Sequence, residues 1–233
     1  MSLPSTIQNT STLPAHLQTG VALGNENVTP DDLQIPRIKL IQKMSPEVDS
    51  DSSRFIAGAK AGDLLNSVTG EPAEELLVIN LFFETGFTVF KKRDLGGGFF
   101  GNFASEAEAK ESLTDEGEDP ADFDIAQTAT HTLLILNDKG EVEMPALMDF
   151  ASSKLKVSRA WNSDLQLRCG KGTPRYGAVY RIFGKLDRNP RGQTWHNVDF
   201  EFQGWADENL FAEASENYTR MKSTKEPAEK AVA

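Results

Sequence analysis

The chain has 233 residues and a formal net charge of −11 at pH 7. That length can bury a core without disulfide support, and a single cysteine, Cys169, excludes a disulfide framework and a cysteine-rich zinc site. His16, His131 and His196 show no metal-ligand spacing, no apolar run has the length of a membrane span, and the polar N-terminus lacks the apolar core of a signal peptide. We therefore expect a protein of the reducing cytoplasm, with no membrane association.

In chain order, residues 1–32 are rich in Ser, Thr, Asn, Gln and Pro and lack apolar periodicity, which predicts a disordered arm. Order is expected from Ile35-Pro36-Arg37-Ile38-Lys39-Leu40-Ile41, where the proline favours an extended entry. Residues 61–71 read as a strand entering a glycine turn. Leu76 to Phe83 reads as a buried strand, Glu84-Thr85-Gly86 as a turn, and Phe87-Thr88-Val89-Phe90 as the returning partner. Residues 105–124 hold nine acidic residues and one lysine, an acidic insertion with a short helix from Glu106 to about Leu113.

A second hairpin is expected from Thr128–Asn137 and Val142–Phe150 about the turn Asn137-Asp138-Lys139-Gly140. Ser152 or Ser153 can cap a helix running to about Leu167, with Leu155, Trp161 and Leu165 inward. Tyr176–Leu186 and Trp195–Trp205 form a third hairpin about Asn189-Pro190-Arg191-Gly192, and residues 207–233 read as a flexible tail. Strands paired with their sequence neighbours and one inserted helix predict a mainly β fold. We expect one domain over 33–206, an OB-like antiparallel β-barrel with one or two short helices; a β-sandwich is the alternative.

Enzymatic motifs are absent: there is no phosphate loop, nucleophile elbow or zinc-protease helix, so no catalytic activity and no cofactor is expected. His131, His196 and Cys169 read as structural. Asp149, Asp187, Asp199 and Glu201 are the residue types that bind paired magnesium ions in nucleases, without distinctive spacing.

Charge is segregated. Between Phe150 and Thr194 there are ten basic residues against Asp164 and Asp187 alone. Single-strand binders need cations for phosphates and aromatic rings for bases, and three segments offer both. One is Lys91, Lys92 and Arg93 followed by Phe99, Phe100 and Phe103 in a glycine-hinged loop. A second is the helix carrying Lys154, Lys156 and Arg159. The third is the last hairpin, with Arg175, Arg181, Phe183, Lys185, Arg188, Arg191 and Trp195. On that hairpin Val179, Arg181, Phe183 and Lys185 share the face expected to meet DNA, and Tyr180 and Ile182 the face expected to meet the core. The acidic stretch 105–124 is a solubilising loop or a segment that occupies the basic groove when DNA is absent.

The chain resembles bacteriophage single-stranded DNA-binding proteins of the OB-fold kind. The resemblance rests on Ile35-Pro36-Arg37-Ile38-Lys39-Leu40-Ile41-Gln42, Ser45-Pro46-Glu47-Val48, Ala59-Lys60-Ala61-Gly62-Asp63, Asn66, Thr69-Gly70-Glu71, Ser153-Lys154-Leu155-Lys156-Val157 and Tyr180-Arg181-Ile182, and spans residues 33–205. It implies sequence-independent binding of single-stranded DNA in replication and recombination, in the cytoplasm of an infected bacterium. A phage DNA polymerase or recombinase is the implied partner, and a homodimer is compatible with it. Alternatives are a strand-annealing recombination protein, a metal-dependent nuclease, and a virion or host-interaction protein. The terminal acidic-aromatic tail that such proteins use for recruitment is not matched, since the chain ends Ala231-Val232-Ala233; the nearest stretch is Asp207-Glu208-Asn209-Leu210-Phe211.

Overall fold

The computed structural model describes residues 24, 26–28 and 34–225. The arm expected over residues 1–32 lies almost wholly outside them; within it, Gly24 N–H donates to Glu26 Oε1 at 3.0 Å. Residues 35–225 belong to one unit.

That unit is mainly β. β1 (Ile38–Leu40), β2 (Leu64–Asn66) and β3 (Pro72–Ala73) form a small antiparallel sheet. β4 (Glu75–Lys91), β5 (Phe99–Phe103), β6 (Phe123–Leu136), β7 (Val142–Ala151), β8 (Ala178–Arg188) and β9 (Thr194–Trp205) form a large one in the order β7-β6-β4-β8-β9, with β5 on β4. β7 and β9 are the ends of this path and share no ladder, so the large sheet is not a closed barrel. Three α-helices accompany the sheets among the described residues: α1 (Glu106–Asp115), α2 (Lys154–Cys169) and α3 (Glu208–Lys225).

The first expected hairpin does not exist. Residues 75–91 are one strand, and β6 pairs along it from Leu77 to Lys91 with a single irregularity between Asn80 and Phe82. Gly86 does not turn the chain. A Cβ there would lie 2.9 Å from the Phe103 carbonyl oxygen, so the missing side chain admits β5 rather than a reversal.

Alternation along the strands sorts the core into two faces. Val78, Leu133 and Ile135 face one side and pack with Phe150, Tyr180 and Trp161 of α2. Ser158, Trp161, Leu165 and Cys169 recur at helical spacing and give α2 its buried stripe. α2 ends at Gly170, whose φ of +59° suits a residue without Cβ. Ser153 stands at the N-cap position without a side-chain cap bond. Ile79, Leu81, Leu134 and Leu136 face the other side and meet Leu210, Ala214, Tyr218 and Met221 of α3.

α3 replaces the tail expected from residue 207. Its apolar residues are spaced by three and four, and that period outweighs the polar composition of the segment. α1 matches expectation within the acidic insertion. Ser105 Oγ accepts from Glu108 N–H at 3.1 Å, and the Glu108 carboxylate accepts from Ala104 N–H at 3.0 Å, close to a capping box.

Candidate nucleic-acid interface

Beyond the end of α3, on the same face of the large sheet, lies a groove. One hollow of about 500 Å³ and a second of about 270 Å³ share Arg37, Thr88, Asn102, Thr128 and Asp149 and are continuous through them. The floor is strand side chains: Thr88 from β4, Thr128 from β6, Asn102 from β5. Thr88 Oγ1 donates to Asn102 Oδ1 at 2.9 Å and lies 3.0 Å from Thr128 Oγ1. With its oxygen so engaged, Asn102 keeps its Nδ2 donors free of protein acceptors among the described residues.

One wall is aromatic. Phe90 at the end of β4 and Phe99 at the start of β5 meet edge to face with centroids 5.7 Å apart. They are 45% and 60% exposed, far more than packing on a core would leave them. Val89, the preceding residue of β4 and paired with Gly101, is fully buried, and strand alternation drives Phe90 outward opposite Phe99.

The other wall holds two cations, Arg37 and Lys154, beside the Asp149 carboxylate, and Glu84 adds a second carboxylate to the lining. Arg37 pairs with Asp149, which also accepts from Thr130 Oγ1 at 2.7 Å. Lys154, the first residue of α2, donates to the Asp149 carbonyl oxygen at 3.2 Å. Burial lowers the Lys154 pKa, with Asp149 acting in the opposite direction. A half-buried ammonium with only a carbonyl as hydrogen-bond partner gains from an incoming anion.

The expected site residues fall into separate places. Phe99 and Lys154 line the larger hollow of the groove, and Phe103 lines the smaller one. Phe100 and Phe103 do not project from a hinged loop: they stand in β5 and pack with Phe123, Val89, Ala109 and Leu113 beneath α1. Lys91 pairs with Glu118 at 3.1 Å and lies over the Phe123 ring, Lys92 Nζ donates to the Ala121 carbonyl at 2.6 Å, and Arg93 is exposed. Lys156 and Arg159 are exposed on α2 without ion pairs among the described residues.

On the last hairpin the alternation is as expected: Tyr180 and Ile182 are buried and Arg181, Phe183 and Lys185 face outward. Their charge, however, is already matched. Arg181 pairs with Glu75 and Glu201 and lies over Phe183, and Lys185 pairs with Asp199 at 2.7 Å. Arg188 and Arg191 are exposed at the β8–β9 turn, and Trp195 is half-buried. Arg175 belongs to a different cavity. The four carboxylates weighed for magnesium are all engaged within the protein: Asp149, Asp199 and Glu201 as above, and Asp187 by Asn197 Nδ2 at 3.0 Å.

Arg37, Thr88, Phe90 and Asn102 were not singled out as site residues from sequence. The outward phase of Phe90 against Val89 was legible; the approach of Arg37 to β7, through a bridge to Leu147, was not.

Behind the sheet, His131 accepts from Asn80 Nδ2 at its Nδ1 (2.7 Å), so its Nε2–H donates to Ser158 Oγ (2.8 Å). The order Ser–His–Asn is that of a hydrolytic triad, but each of the three is at most 1% exposed. Burial first, and the Arg175 charge second, push the imidazole down to about 3, too weak a base to activate a hydroxyl. This is a satisfied core histidine stacked on Trp161 at 4.9 Å.

The fold is mainly β, with two sheets and three α-helices among the described residues, and its groove sets two exposed rings opposite Lys154 and the Arg37–Asp149 pair. A family model of Pam3 phage gp34-like proteins matches residues 7–227, and the chain belongs to that family. No curated protein and no solved structure matches the chain. No helix among the described residues is long and apolar enough to cross a membrane.

Proposed function

We propose that this protein binds single-stranded DNA without sequence preference, as a non-enzymatic component of phage replication or recombination. The observation that carries the reading is the exposed Phe90–Phe99 pair at one wall of a groove whose other wall holds Lys154 and the Arg37–Asp149 pair. Exposed rings give bases a stacking surface, worth about 1–3 kcal/mol per base, and every base has a face to stack. Lysine and arginine neutralise phosphates and release counterions, which makes affinity fall with salt. The threonine and asparagine floor can hydrogen-bond base edges without selecting among them.

The strand order supports the same reading. The order β7-β6-β4-β8-β9, with α2 between β7 and β8, supports an OB-like plan read in a partly open form. In OB folds the second and third strands and the connection between the first and second bind oligonucleotides. Here those parts are β6, β7 and the segment carrying Phe99 and Asn102, which line the groove.

A polymerase or recombinase partner fits a phage single-strand binder. The stretch considered for recruiting it is not a free tail: Asp207 accepts from Leu210 N–H at 2.8 Å and Phe211 packs against Tyr176. The test is fluorescence anisotropy of labelled poly-dT, with duplex DNA and RNA as competitors, across a salt series. Tight, salt-sensitive binding that duplex competes poorly supports the reading; absence of binding at low salt overturns it.

A further inference from the structure

A second cavity, of about 490 Å³, lies between the end of α2, the short 3-10 turn Arg175–Gly177, the middle of β4 and α3. It shares no lining residue with the groove. Phe83, Leu165, Tyr176 and Tyr218 give it an aromatic and apolar part, Asn162, Gln166 and Thr173 a polar one, and its single charged lining residue is Arg175.

Arg175 is unlike the other anchored arginines. Arg37, Arg168 and Arg181 each pair with a carboxylate. Arg175 has only the Asn162 amide oxygen, which accepts from its Nη2 at 2.9 Å, and its Nε is buried without an acceptor. Burial lowers its pKa, and the groups that act against burial are the Cys169 thiol and the Tyr180 phenol, both normally neutral. A partly buried guanidinium that lines a cavity and lacks a carboxylate partner is matched by an oxyanion, whose geometry its planar fork fits. The volume lies within the about 300–1,000 Å³ range of small-molecule sites.

We propose that the Arg175 cavity is a second binding site, taking a flat-ringed oxyanion of nucleotide size, with the charged group on the guanidinium and the ring against the aromatic wall. A free mononucleotide and the 5′-terminal nucleotide of a strand carry this same chemistry. The inference does not rest on the groove reading, because the residues and the measured signal differ.

Cys169, the chain's one cysteine, lines the cavity at 8% exposure, so a small reagent must enter the cavity to reach its thiol and a bound ligand slows that entry. The rate at which a small thiol reagent modifies it is measured with dAMP, deoxyadenosine, and oligo-dT with and without a 5′-phosphate. At millimolar concentration dAMP slows the reaction about tenfold and deoxyadenosine does not. Arg175→Met removes the protection and Arg175→Lys keeps part of it, while Phe90→Ala with Phe99→Ala leaves it intact. Protection by the phosphorylated oligonucleotide alone assigns the site to a strand end. Equal protection by deoxyadenosine, no protection by any phosphate, or protection undiminished in Arg175→Met overturns the proposal. The comparison of dAMP with deoxyadenosine needs only the unaltered protein, so it stands even if a variant fails to fold.

Discussion

Phe90 and Phe99 meet across the β4–β5 ladder at 5.7 Å with an interplanar angle of 63°, and both stay open to solvent. One residue along β5, Phe100 turns the opposite way and stacks into the α1 cluster. The pair and its neighbour therefore separate binding from stability. Phe90→Ala and Phe99→Ala each weaken single-strand affinity by about 1–3 kcal/mol and leave the melting temperature near that of the parent. Phe100→Ala destabilises the fold by roughly 2–4 kcal/mol. Anisotropy titrations beside thermal melts check both outcomes.

Salt dependence discriminates the cations. Lys154→Met lowers the slope of log K against log salt by about one unit, as loss of one phosphate contact does. Arg181→Ala changes that slope little, because Arg181 already pairs with Glu75 and Glu201. Equal effects of the two substitutions would move the strand to the β8–β9 hairpin.

His131 makes stability depend on pH with a definite sign. Its folded-state pKa, about 3, lies below the ordinary value of 6.5 because burial disfavours the imidazolium. Between those values the unfolded chain binds the proton and the folded chain does not. Stability is therefore full above about pH 6.5 and falls as pH drops toward 3, by up to about 1.4 kcal/mol per unit from this group. Denaturant titrations of the parent and of His131→Gln measure it; the variant shows a shallower acid slope and a lower stability at neutral pH.

Gly184 in β8 admits the small sheet. A Cβ there would lie 1.9 Å from the Gly62 carbonyl oxygen, an impossible approach that no side-chain rotation relieves. Gly184→Ala is expected to destabilise by roughly 2–4 kcal/mol and to expose the β1–β3 segment, read by calorimetry and by amide exchange at Leu64 and Leu65.

The hairpins β6–β7 and β8–β9, helix α2 and helix α1 were legible because each has a clear period and a local turn or break. β4 was misread because Glu84-Thr85-Gly86 carries a turn composition, while the glycine serves the close approach of β5. α3 is not legible locally because Leu210, Ala214, Tyr218 and Met221 sit among polar residues, and Ile79, Leu81, Leu134 and Leu136 of the sheet, distant in sequence, are what they pack against. The groove was half legible. Phe99 and Lys154 stood out by residue type, whereas Arg37 reaches the site through pairing that spans 112 positions. Charge counting along the last hairpin pointed to Arg181 and Lys185 without seeing the carboxylates that tertiary pairing brings beside them.

The most direct test of where a strand lies is photocrosslinking of a halogenated deoxyuridine oligonucleotide, followed by peptide mapping. Crosslinks at Phe90 and Phe99, suppressed by unlabelled oligo-dT, are the predicted result. Crosslinks confined to Phe183 and Trp195, or none under conditions where the chain is folded, would contradict the groove.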